Sequence, residues 1–361
     1  MAQCQFCKKN SPFISKYLGF CVDCIRTNFL KIKDKIELIH HRSRTEFNLP
    51  LKPPQTEAGL KCAQCVNQCV IGDGESGYCG VYKNINGNLT GISKDFTYLH
   101  WYYDSLPTNC VADWVCAASG AGYPQYANLP GIEYGYKNLA VFFCSCNFNC
   151  LFCQNWHYRD KPTRMTNFQE LVKAVDKKTS CICFFGGDPT PNLLLAINVA
   201  EQILIRTQRI FRICWETNGS MSETLLNRMI ELSLKSGGCI KFDLKTYSEE
   251  LNYALCGVSN KQTLKNIKKV AQYIYERPKP PLLVISTLLI PGYIDHIELT
   301  NIAQFIAGID KNIPWSLLAF YPCFYFSDLS PTSKYQAEQA LKIAQDLGLT
   351  NVRLGNIHLL T

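Results

Sequence analysis

The segment CSCNFNCLFCQNW, residues 144–156, places four cysteines among thirteen residues. Three of them, Cys146, Cys150 and Cys153, follow the pattern C-x3-C-x2-C. Three thiolates on one short loop hold three corners of a 4Fe–4S cubane and leave the fourth iron open to another ligand. Cys144 offers a rival reading: as a fourth ligand it closes the site, and closed sites are structural rather than catalytic. A disulfide knot is the third reading. The chain has 20 cysteines in 361 residues, and its opening MAQCQFCKKN lacks the apolar run of a signal peptide. Its most apolar stretches, such as LLVISTLLIPGY, are too short to span a bilayer. The expected location is therefore cytoplasmic and off the membrane, where thiols stay reduced and clustered cysteines bind metals.

The remaining cysteines are grouped too. Cys4, Cys7, Cys21 and Cys24 form C-x2-C-x13-C-x2-C, the spacing of two knuckles converging on one tetrahedral zinc. The segment between them suits a short hairpin with Gly19 at the second knuckle. Phe29, Ile32, Ile36 and Ile39 then share one helical stripe. Residues 1–46 carry nine Lys/Arg against four Asp/Glu, a solvated surface or a docking module for RNA or protein. Residues 47–59 include the proline-rich LPLKPPQTEAG and read as a linker. An accessory module, 60–135, holds Cys62, Cys65, Cys69 and Cys79, the ligands of a second zinc or an auxiliary iron–sulfur cluster; spacing leaves that metal open. Cys110 and Cys116 are placed in the same region. Trp101, Tyr102, Tyr103 and Trp114 read equally as a cap over the core or as an ordinary accessory core.

The elements that position the opening loop alternate. Apolar β runs at 138–144, 181–185, 210–215, 239–245, 281–292 and 315–322 are separated by helical patterns at 166–177, 192–208, 222–236, 260–276, 296–310 and 332–347. Repeated strand–helix units predict a parallel sheet with right-handed crossovers. Function in such sheets gathers at the C-terminal strand ends, where the cysteine loop, GGDP, ETNG, DLK and IPG fall. Cys181, Cys183, Cys214 and Cys239 lie within strands and read as small core residues, whereas Cys256 and Cys323 are placed within reach of the mouth. His157, just after the loop, reads as structural.

From Asn138 to Thr361 the chain resembles the radical S-adenosylmethionine superfamily, and within it the pyruvate formate-lyase activating enzyme group. The match is ordered: CNFNCLFCQN, GGDP, TNG, DLK, CGVSNKQTLKNIKK and IPGY. The resemblance implies an α/β fold, a partial (β/α)6 barrel of TIM type over 136–361, preceded by the zinc ribbon and the cysteine-rich module. It implies that Cys146, Cys150 and Cys153 ligate the 4Fe–4S cluster and that the backbone around Phe152 and Gln154 touches adenine. Gly186 and Gly187 would lie against the amino group of S-adenosylmethionine, with Asp188, Thr217 and Asn218 also at the cofactor. Lys245 would pair with the methionyl carboxylate. Glu216, Thr217 and Asp243 match the positions of a monovalent cation, with Glu in place of the usual Asp. Tyr321 stands where the family commonly has histidine.

The resemblance implies cleavage of S-adenosylmethionine to a 5′-deoxyadenosyl radical, fed by a low-potential electron donor such as flavodoxin or ferredoxin. Its substrate would be a protein or peptide, as for a glycyl-radical activase. Radical modification of RNA or a small molecule, with the basic ribbon as dock, is the alternative. A non-enzymatic metal-binding adaptor is a third.

Overall fold

The computed structural model describes residues 1–361. Eight strands form one sheet: β1 (Leu99–Ser105), β2 (Lys137–Phe143), β3 (Thr179–Gly186), β4 (Arg212–Thr217), β5 (Ile240–Asp243), β6 (Leu283–Leu289), β7 (Trp315–Ala319) and β8 (Val352–Gly355). They lie side by side in chain order, β2 to β8 parallel and β1 antiparallel to β2. The sheet is open, since β1 and β8 do not pair. Strictly sequential order with crossovers of one hand puts the connecting helices on one face and leaves the other to line a common interior.

The expected strand–helix alternation is present, with α2 (Phe168–Ala174), α3 (Leu193–Arg206), α4 (Glu223–Ser236), α6 (Lys261–Ala271), α7 (His296–Ala307) and α8 (Lys334–Asp346) between or after the strands. The sheet carries seven parallel strands rather than the expected six, because Val352–Gly355 pairs with β7. One further helix, α5 (Glu249–Cys256), follows the DLK strand; it is too short for its period to stand out in sequence. Its Ser248 N-cap accepts from the Leu251 amide, and Gly257 ends it in the left-handed conformation at φ +69°.

The helix α1 (Val22–Thr45) buries the predicted stripe through Ile32, Ile36 and Ile39, and Phe29 meets the Tyr253 ring of α5 edge-on. A single apolar core runs from Cys4 and Ile14 through α1 into the sheet. The first cysteine pair sits by a two-residue ladder, Ala2–Gln3 with Asn10–Ser11. The second pair departs from the hairpin expectation: Cys21 is the N-cap of α1 and Cys24 lies in its first turn. This module is pressed onto the IPGY loop. A side chain at Gly292, where φ is +79°, would meet the Phe13 carbonyl at 2.3 Å, and the Ser15 amide donates to the Tyr293 hydroxyl at 3.0 Å.

Residues 106–136 close the opposite end of the sheet. Arg212, the first residue of β4, makes a buried bidentate pair with Glu133 at 2.5 and 2.7 Å, and Trp114 Nε1 donates to Ser316 at 3.3 Å. The cap reading for the aromatics therefore fails. Trp101, Tyr102 and Tyr103 are exposed on edge strand β1, and Trp114 packs at the N-terminal strand ends, away from the cysteine loop.

Candidate active site

The loop after β2 is fastened by its own backbone. The amides of Asn149 and Leu151 donate to the carbonyls of Cys256 and Leu255 at 2.8 and 2.9 Å, and the Leu151 carbonyl accepts from Tyr325 at 3.0 Å. The Asn149 side chain is bound on three sides, by His40 Nδ1 at 3.0 Å, Ser43 Oγ at 2.7 Å and the Arg159 guanidinium at 3.1 Å. Its contact with Nδ1 requires a neutral imidazole that donates from Nε2 to the Ala254 carbonyl. Burial pushes that histidine's pKa down to about 4. Phe148, Leu151 and Phe152 are buried beneath the loop.

A cavity of about 150 Å³ opens beside this loop. Cys146, Cys150, Cys153, Phe152 and Gln154 form one wall, and Gly186, Gly187 and Asp188 come from the end of β3. Glu216 and Asn218 from β4, and Asp243 and Lys245 from β5, line the rest. Thr217 lies behind, donating to Asp188 at 3.0 Å. The structure thus gathers the sequence-selected residues around one space. Cys144 is not among its lining residues; it borders a different cavity with Lys161 and Gly80. Tyr321 is also outside and is exposed.

The glycines answer to the chain itself. Gly186 sits at φ +108°, and a Cβ on Gly187 would come within 2.3 Å of the Ser145 carbonyl and 2.9 Å of Tyr158. The strand end could not lie so close to the cysteine loop with a side chain there. Asp188 is held by the amides of Thr190 and Asn218 at 2.8 and 2.6 Å, yet its burial pushes it up to about 6. The three thiols are likewise pushed up: Cys146 by burial and Asp188, Cys150 by the adjoining Cys256 thiol and burial, Cys153 by burial and Cys150 to about 11. Binding a metal here expels their protons, and the charges of Lys245 and Arg159 favour that outcome at Cys150 and Cys153.

Residues 141–305 match the family model described as the Radical SAM superfamily. Over this span the chain is similar to that superfamily. The match supports an enzyme, with the cofactors that the family implies, a 4Fe–4S cluster and S-adenosylmethionine. Among similar proteins, the uncharacterized protein MJ0808 of Methanocaldococcus jannaschii is 22% identical, over 82% of this chain and 81% of its own length. MJ1632 of the same organism, whose name provisionally makes it a glycyl-radical enzyme activating enzyme, is 26% identical over 48% of this chain and 64% of its own. Pyruvate formate-lyase 1-activating enzyme of Escherichia coli is 25% identical over 46% and 64%. A crystal structure of a domain of pyruvate-formate lyase-activating enzyme from Bacteroides vulgatus aligns with a TM-score of 0.40 at 20% identity, covering 48% of this chain and 98% of that one.

Two features of this site, at Lys241 and Tyr158, escaped the sequence reading, and a third, Cys256, departs from its expected place. Lys241 is buried under the cavity, its Nζ 3.0 Å from Cys183 Sγ, 3.1 Å from Cys110 Sγ and 3.3 Å from Glu216. Burial opposes its charge, but Cys110, Cys183 and Glu216 hold it well above the ordinary lysine value. The signal was available: Lys241 and Asp243 alternate along β5, so they share one face of a strand inside the sheet. Cys110 is therefore a neighbour of the sheet interior and not of Cys62–Cys79, and Cys116 faces Cys214 and Arg212. The second is Tyr158, buried in the cavity wall. The third is Cys256, fully buried against Cys150 rather than at the mouth. Cys323 donates to the Phe152 carbonyl at 3.3 Å. His157 is exposed and stacks on Trp156 at 3.8 Å.

The carboxylates expected at a monovalent cation already have ammonium partners. Glu216 faces Lys241, and Asp243 meets Lys245 at 2.8 Å while accepting from Ser286 Oγ at 2.7 Å. Within the first 24 residues, the sulfurs of Cys4, Cys7, Cys21 and Cys24 lie within 4.8 Å of one another, close to the span that a tetrahedron of thiolates about 2.3 Å from one ion requires. No helix is long and apolar enough to cross a membrane.

Proposed function

We propose that this protein generates a radical from S-adenosylmethionine and uses it to abstract hydrogen from a protein or peptide, in the manner of a glycyl-radical activase. The observation that carries this reading is the grouping of Cys146, Cys150 and Cys153 on one cavity wall, with Cys144 turned to another space. Three thiols and no fourth from that loop fit a cluster with an open corner. When bound, that cluster and S-adenosylmethionine supply one-electron reductive cleavage and a hydrogen-abstracting radical.

The chain's own residues bind, orient and shield. Lys245 is the cation available to a carboxylate in the cavity, and its pairing with Asp243 keeps it charged and aimed although half-buried. Asp188 fixes Asn218 through the backbone amide and Thr217 through its hydroxyl, so the far wall is set before anything binds. Phe152, Leu288 and Leu318 offer apolar surface to an aromatic base, and Phe148 and Tyr158 exclude water at the thiols. The unpaired sheet edges leave the cavity without a closed ring of backbone, which suits a substrate entering as a chain segment. The names of the activating-enzyme relatives support the same class of substrate. In this reading Cys4, Cys7, Cys21 and Cys24 hold one structural zinc, and a low-potential flavodoxin or ferredoxin delivers the electron.

The test is anaerobic. The reconstituted chain with dithionite should form 5′-deoxyadenosine, and with its protein partner should give a glycyl-type electron paramagnetic resonance signal on that partner. Deoxyadenosine formation stimulated instead by RNA copurified with the chain would replace the protein substrate with RNA. No deoxyadenosine from a chain whose cluster at Cys146, Cys150 and Cys153 is in place would defeat the reading altogether.

A further inference from the structure

The four cysteines of the accessory module are buried or half-buried around one enclosed cavity, separate from the radical SAM cavity. Cys62, Cys65, Cys69 and Cys79 line a space of about 20 Å³ with Gln64, Asn67 and Asn147. They differ from the N-terminal quartet in one measurable way. No three of their sulfurs approach within the 4.8 Å that all four of Cys4, Cys7, Cys21 and Cys24 satisfy. Sulfurs about 2.3 Å from a single zinc touch one another and leave no space between them. Here there is space for about one water-sized sphere, which requires a larger tetrahedron of sulfurs. A cubane of four irons and four sulfides sets its thiolates on such a tetrahedron.

The surroundings match a cluster. The backbone amide of Tyr78 donates to Cys69 Sγ at 3.4 Å. Amides aimed at sulfur stabilise a thiolate cluster and set its potential. Two cations lie beside the group: Lys161, bound to the Gly80 carbonyl at 2.7 Å, and Arg44, whose Nη2 donates to the Tyr78 carbonyl next to Cys79. Arg44 is fully buried, and its Nη1 has no hydrogen-bond partner. A buried cation with a spare donor demands a negative neighbour, and a cubane on four thiolates is one.

From these observations we propose that Cys62, Cys65, Cys69 and Cys79 hold a second 4Fe–4S cluster, closed by four thiolates. With no free iron, its chemistry is confined to gaining and losing an electron. Its place favours exchange with the active site. Asn67 Nδ2 donates to the Asn147 carbonyl at 2.8 Å, and the Asn147 side chain accepts from Asn218 at 2.8 Å. Asn147 lies between Cys146 and Cys150, and Asn218 lines the radical SAM cavity. One asparagine thus belongs to the wall of one site and to the loop of the other.

The inference stands apart from the proposed substrate and from the open corner at Cys146, and its test separates them. Replacing Cys146, Cys150 and Cys153 together with alanine removes the first site only. After anaerobic reconstitution, the wild type should hold about eight irons, and this triple variant about four irons and four sulfides. On reduction the variant should give a cluster signal that S-adenosylmethionine leaves unchanged. Cys62→Ser with Cys79→Ser, in the otherwise intact chain, should lower iron from about eight to about four and keep the signal that responds to S-adenosylmethionine. Four irons in the wild type with none in the triple variant would overturn the proposal. So would a second zinc per chain that is lost when Cys62 and Cys79 are replaced.

Discussion

The knuckle at Cys4–Cys24 and the loop at Cys146–Cys153 both set thiols a few residues apart, but they solve different problems. The knuckle draws its sulfurs within 4.8 Å of one another and packs into the apolar core. No ammonium or guanidinium bonds to those sulfurs. The loop spreads three sulfurs along one wall and faces them with Lys245, Asp243, Asp188 and Glu216. A structural metal needs only ligands and a dry surround, whereas a catalytic one needs a vacant side and charges to receive what enters it. The difference lies less in the cysteines than in what stands opposite them.

The sharpest way to break this contrast is to exchange the roles of neighbouring thiols. Cys153→Ala should abolish the active-site cluster and all dithionite-driven 5′-deoxyadenosine formation, while Cys144→Ala should change both less than twofold. Equal loss in the two variants, measured as iron content and product, would mean a site closed by four thiolates. At the knuckle, Cys4→Ser or Cys24→Ser should release zinc and cost several kcal/mol of stability, because metal binding there is folding free energy. The loss should appear as a lowered melting temperature. It should spread beyond α1, since Ser15, Arg26 and His40 bond to Tyr293, Asp295 and Ala254. A variant melting like the wild type would show the knuckle to be dispensable.

Smaller changes probe the charges opposite the loop. Lys241→Met leaves Glu216 without its buried partner, at a cost of about 1–3 kcal/mol in denaturant unfolding; an unchanged midpoint would refute the burial described. His40 tests how α1 supports the loop. Its depressed pKa means that the unfolded chain binds the extra proton. Its stabilising effect is therefore full above pH 6.5 and is lost as pH falls toward about 4. About 2 kcal/mol of this should be lost between pH 7.5 and 5.0 in the wild type and not in His40→Gln. Unfolding at pH 7.5 and 5.0 decides it. Lys245→Ala should keep all iron and weaken S-adenosylmethionine binding by about 1.5–3 kcal/mol, read by calorimetry. Unaltered affinity would remove Lys245 from the binding set.

Much of this was legible because strand–helix periodicity and cysteine spacing are local. The six repeats and the three loop cysteines came from residues near one another in sequence, whereas Gly186, Gly187, Asp188, Asn218, Asp243 and Lys245 entered through the family resemblance. What was missed depends on distant partners. Val352–Gly355 becomes a strand only by pairing with β7, and Leu99–Ser105 only by pairing with β2. Cys110 reads as part of its neighbouring cysteines until Lys241 is seen at 3.1 Å, 131 residues away. Gly292 reads as part of the IPGY signature, yet its immediate need for glycine is Phe13.

That contact between Phe13 and Gly292 has a consequence for synthesis. The first knuckle leaves the ribosome long before its dock exists; Ser15 and its partner Tyr293 are 278 residues apart. At about 5–20 residues per second, the delay is roughly 15–55 s. Throughout it, the loop that this module docks on is absent. A metal ion on Cys4, Cys7, Cys21 and Cys24, as proposed above, would let the module fold before it docks. The supply of that ion during translation, rather than afterwards, would then bear on how much of the chain matures.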